Sequence, residues 1–154
     1  MKIVALIAPA TWPAVVAALR GYSEDEICLV ASAEPPAPLL GAPGALMGRG
    51  SVAAQPVDLA DATARDLLDQ AASALESAAA CQVLHGPAER AVVQACTDAD
   101  VLVLARDGDH TRLGPGSLSH QTRFIVDHAP CTVELVWPSA PPSVATIPAP
   151  PRGR

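Results

Sequence analysis

The chain predicts an α/β fold, a single doubly wound, mainly parallel five-stranded sheet with helices on both faces. Three observations carry that expectation. Short apolar runs alternate with amphipathic segments through most of the 154 residues, the order that builds a parallel sheet through right-handed crossovers. One run, Val101–Ala105, is apolar at every position, as a strand buried on both faces requires. It leads through a polar, glycine-containing loop into a helical pattern, so that backbone N–H groups and the positive end of a helix dipole face the loop.

Taken in order, Ile3–Ala8 reads as a buried first strand. Thr11 and Pro13 start a helix whose body, Ala14–Arg20, is closed by Gly21, with proline at the entry and glycine at the exit. Glu26–Ser32 is the second strand. Residues 34–56 hold five prolines and four glycines and cannot be regular throughout. The longest helix is expected over Asp58–Ala79, with Leu59, Ala62, Leu67, Ala71, Ala74, Leu75 and Ala78 at roughly helical spacing and Asp61, Asp66, Asp69 and Glu76 left for solvent. Cys81–Leu84 gives the third strand, Pro87–Cys96 a helix and Val101–Ala105 the fourth strand. The last helix runs over Leu118–Asp127, stopping before Pro130, and Thr132–Trp137 is the fifth strand. Beyond Pro138 the proline-rich composition offers little to bury. The expected organisation is one domain, 1–137, with a disordered tail, 138–154.

Aromatic residues make up only 3% of the chain, so the core must be built from Ala, Val, Leu and Ile. Ten Lys and Arg stand against 16 Asp and Glu, a net charge of −6, which argues against nucleic acid as a partner because phosphate neutralisation supplies most of that affinity. Cys28, Cys81, Cys96 and Cys131 form no CxxC pair or zinc-ligand spacing and read as free thiols suited to a reducing cytoplasm. The first apolar run is too short to span a membrane. His85, His120 and His128 show no short metal-ligand spacing, so no metal site is expected.

Two groups of residues could carry chemistry. One is Ala105, Gly108, Gly116 and Ser117, followed by the helix and the turn His128-Ala129-Pro130-Cys131. This stretch resembles the C-terminal signature of the universal stress protein family, in which a buried strand enters Gly-x2-Gly-x9-Gly-Ser/Thr. The likeness is strongest from Val83 to Trp137. It implies the strand order 3-2-1-4-5, with the switch point between strands one and four, where doubly wound folds bind ligands. It places Ala8, Ser32, Ala105, Gly108, Gly116, Ser117 and Leu118 against an adenine nucleotide, with ATP as the implied cofactor and residues 34–56 beside it as a lid or a connector. This chain departs from the pattern at three points. Ala105 replaces the first glycine, seven residues rather than nine separate Gly108 from Gly116, and Ala8 stands where the family's nucleotide binders carry Asp. Gly116 and Ser117 fit either a phosphate seat or an ordinary helix cap.

The other group is the polar loop itself, Arg106, Asp107, Asp109, His110, Thr111 and Arg112. As a catalytic cluster, His110 would transfer a proton while Asp107 or Asp109 fixed its tautomer; otherwise the loop is a solvated surface. Ser117 and Ser119 lack a nucleophile elbow. Two functions follow: a small-ligand, adenine-nucleotide-type binding protein, or an enzyme on the same fold with the 106–115 loop as its site. The apolar fifth strand, at a sheet edge in the implied order, is expected to pair with a second copy as a homodimer.

Overall fold

A computed structural model of the chain describes residues 1–34 and 56–153. Between them, in order, lie β1 (Lys2–Leu6), α1 (Trp12–Leu19), β2 (Glu26–Ser32), α2 (Pro56–Leu75), β3 (Ala80–Leu84), α3 (Ala88–Ala95), β4 (Val101–Ala105), α4 (His120–His128) and β5 (Thr132–Val136). All four pairings are parallel and the sheet order is β3-β2-β1-β4-β5. The expected strand order is therefore observed. The interior of residues 34–56, and with it the expectation of a lid or connector, falls outside the described residues.

Alternation along the central strands divides the core between the two sheet faces. In register, Ile3 sits between Ile27 and Val101, and Ala5 between Leu29 and Val103. These residues pack with Val15, Val16 and Leu19 of α1 and Ala64, Leu68, Ala71 and Leu75 of α2. The intervening residues Val4, Val30, Leu102 and Leu104 pack with Val92 of α3, Cys96 just beyond its end and Ile125 of α4. All five residues of β4 are buried, as its sequence requires. Small alanines such as Ala5, Ala31, Ala64 and Ala71 stand at buried positions of strands and helices, where they leave room for neighbouring elements to approach closely.

Several element ends differ from the sequence expectation. The long helix stops at Leu75 rather than Ala79, because Glu76 takes a left-handed conformation (φ 59°) that ends the helical path. The last helix starts at His120 rather than Leu118, because Ser119 is its N-cap and its hydroxyl accepts the Thr122 N–H. Asp61, expected to face solvent, pairs with Arg65 at 2.8 Å and with His85. Within the proline-rich C-terminal segment, Val144–Thr146 forms a 3-10 turn, and Thr146 Oγ1 accepts the Leu113 N–H at 2.9 Å.

Candidate functional site

The carboxyl ends of β1 and β2 open into a cavity of about 530 Å³. Leu6, Ile7, Ala8 and Pro9 form its floor, Ser32 and Glu34 one side, and the first half of α2 a second. The beginnings of α3 and α4 close the rest, through Ala88, Glu89 and Val92 and through Gln121, Thr122 and Ile125. Most of this wall is apolar, and its volume falls in the range of small-molecule pockets. Among the described residues, the ionisable groups on the wall are Glu34, Glu89 and Asp107.

Two of these carboxylates are tied to helix starts. Asp107, just past β4, accepts the Ser119 N–H through Oδ1 at 2.8 Å; its Oδ2 accepts from Ser119 Oγ at 2.7 Å and from Thr122 Oγ1 at 2.9 Å. The chain thus places its own negative charge on the α4 N-terminus, where the helix dipole favours an anion. Glu34 does the same for α3. Its N–H donates to Ser32 Oγ at 3.1 Å, a local turn at the end of β2, and its Oε2 accepts the Ala88 N–H at 3.1 Å.

The glycine loop between β4 and α4 closes on itself. Gly108 N–H donates to Ser117 O at 2.9 Å and Asp109 N–H to Gly116 O at 2.8 Å. A Cβ on Gly108 would lie 2.2 Å from Gly116 O and 2.8 Å from Ser117 C, so close backbone approach requires glycine there. Ser117 is buried, and its hydroxyl accepts from Arg106 Nη1 at 2.7 Å while donating to Gly114 O at 2.9 Å. It is not the helix cap, since Ser119 fills that role. The Arg106 guanidinium lies over Trp137, 4.6 Å from the ring centroid, which fastens the loop to the end of β5.

Of the residues expected to hold a nucleotide, Ala8 and Ser32 line the cavity. Ala105 is buried in the core facing α1 and α2, and Gly108 and Ser117 are spent on closing the loop. Leu118 follows the 3-10 turn Pro115–Ser117 in extended conformation. Gly116 lines a separate hollow with Asp109, Arg112, Leu113, Ile147 and Pro148. The three candidate catalytic residues also part company. Asp107 is held by Ser119 and Thr122, whereas Asp109 Oδ1 accepts from the Thr111 N–H and hydroxyl, which hold its carboxyl below the usual range. His110 Nε2 meets Arg106 O at 2.9 Å, so a backbone carbonyl, not a carboxylate, orients that ring.

Glu34 and Glu89 were not singled out by motif, although a signal for both exists. In a doubly wound sheet the first residues after each strand and the first turn of each helix surround the ligand region. Glu34 follows β2 and Glu89 stands in the first turn of α3. Among the described residues, no group of three or more His, Cys, Asp and Glu side chains could hold a metal ion, and no helix is long and apolar enough to cross a membrane.

No family model matches the sequence, and no curated protein matches it. Solved structures do. The universal stress protein UspA of Lactobacillus plantarum superposes with a TM-score of 0.62 at 15% identity, over 88% of this chain and 97% of that one. The chain has the fold of the universal stress proteins. A universal stress protein in complex with cAMP matches at a TM-score of 0.57 and 16% identity, over 90% of this chain and 98% of that one. A universal stress protein family protein from Arabidopsis thaliana with AMP bound matches at a TM-score of 0.56 and 17% identity, over 97% and 96% respectively.

Proposed function

We propose that this chain is a small-ligand binding protein on the universal stress protein fold, its ligand lying in the cavity at the carboxyl ends of β1 and β2. The observation that carries the reading is that cavity, mainly apolar, about 530 Å³, and located where doubly wound sheets bind ligands. The cAMP and AMP complexes among its structural neighbours support the small-molecule part of the reading.

An adenine nucleotide fits this chain less well than an occupant without phosphate. Ala8 offers no side-chain acceptor, the cavity wall carries no Lys, Arg or His among the described residues, and Asp107 already sets a carboxylate against the start of α4, where it accepts the Ser119 N–H. The test is isothermal titration of the purified protein with ATP, AMP and cAMP, paired with mass spectrometry of small molecules released on denaturation. A small molecule without phosphate released from the protein, with no heat of nucleotide binding, is the expected result. Micromolar ATP binding would overturn the preference against phosphate.

A further inference from the structure

We infer that the cavity selects a small cationic molecule with an apolar body, such as an alkyl or aryl ammonium compound. This rests on the ligand-binding reading above and narrows it to a chemical class. The body of such a molecule would be buried against Leu6, Ile7, Val92 and Ile125, which line the cavity. The charge preference comes from the wall, whose described ionisable residues, Glu34, Glu89 and Asp107, are all acidic.

An anion entering the same space would meet those three charges without compensation. At each helix start the chain's own carboxylate already takes one of the donors that favour anions, Glu34 the Ala88 N–H and Asp107 the Ser119 N–H, and Ser119 Oγ takes the Thr122 N–H. The arginines of the adjoining elements are turned to other tasks: Arg123 donates to Pro115 O, Arg106 to Ser117 Oγ over Trp137, and Arg90 lies over the Phe124 ring. Glu89 differs from the other two carboxylates. It is half-buried and makes no hydrogen bond or ion pair with any described residue. An ammonium group against Glu89 gains a charge-assisted hydrogen bond in a partly desolvated wall.

The experiment uses three probes of one shape, octylammonium, 1-octanol and octanoate, with AMP as a phosphate reference, titrated into the full chain at low salt. Octylammonium is expected to bind roughly tenfold more tightly than octanol, the scale of one charge-assisted contact, with octanoate and AMP weaker than both. Glu89→Gln is expected to bring octylammonium to within about threefold of octanol. An unchanged octanol affinity in that variant shows that the cavity is intact. Equal binding of octylammonium and octanol to the wild type, a preference that survives Glu89→Gln, or tighter binding of octanoate or AMP would each overturn the inference and leave ligand binding standing. Failure of all four probes to bind would overturn both.

Discussion

Substituting Gly108 and Gly116 by alanine separates what the two glycines of the β4–α4 loop do. At Gly108 an added Cβ would sit 2.2 Å from Gly116 O and 3.0 Å from Leu118 N, and both are backbone atoms that cannot rotate away. Separating the two sides of the loop costs about 1 to 3 kcal/mol, as overpacking does elsewhere. Losing one of the two backbone bonds that close the loop, Gly108 to Ser117 or Asp109 to Gly116, adds about 1 kcal/mol. Gly108→Ala should therefore destabilise the fold by about 2 to 4 kcal/mol, a fall in Tm of about 5 to 15 °C for a chain of this size. At Gly116 an added Cβ meets nothing within 4 Å, so Gly116→Ala should stay within about 0.5 kcal/mol of wild type. Urea melts followed by far-UV circular dichroism measure both. Equal losses in the two variants, or a larger loss at Gly116, would refute the reading of the loop as self-closed.

Asp107→Asn should lower stability by about 1 to 2 kcal/mol in the same melts, since it removes the charge from the α4 start and leaves one of three donors poorly matched; an unchanged melt would contradict the capping role. The chain has one tyrosine, Tyr22, whose hydroxyl donates to Glu134, chiefly raising its pKa above 10.0. Its absorbance titration should thus move to lower pH in Glu134→Gln, and a midpoint unmoved by the substitution would exclude the bond. Burial pushes the Cys96 thiol up from 9.0 to about 12. A raised folded pKa contributes stability that is complete below pH 9 and lost as pH rises toward 12; Cys96→Ala should show a shallower alkaline decline than wild type, and identical slopes would refute it. We further propose a homodimer through β5, an edge strand of the sheet; light scattering at micromolar concentration should give twice the monomer mass, and a monomer would count against it.

The architecture was legible because its signals are periodic. The unbroken run Val101–Ala105 is short and rich in valine, the pattern of a strand covered on both sides, and it is buried at all five positions. Element ends were less legible where a single backbone conformation decides them, as at Glu76, whose positive φ ends α2 although its residue type gives no warning. The loop was misleading for a different reason. Gly108, Gly116 and Ser117 lie in the order of a phosphate motif, but the loop pairs with itself and Ser117 turns inward to Arg106 and Gly114. A glycine that serves a ligand and one that serves a close backbone contact look alike in sequence, and here Gly108 serves the contact. The acidic wall stayed hidden because Glu34, Glu89 and Asp107 are brought together only by the sheet order.

The central claim, that the space among α2, α3 and α4 is a ligand site, is tested most directly by methyl-labelled NMR of the full chain during separate titrations with octylammonium, octanol and AMP. The account predicts that octylammonium shifts the methyl signals of Leu6, Ile7, Val92 and Ile125, which line the cavity, and leaves those of Leu113 and Ile147 beside the second hollow unmoved. Shifts confined to Leu113 and Ile147, or none with any of the three compounds, would contradict it.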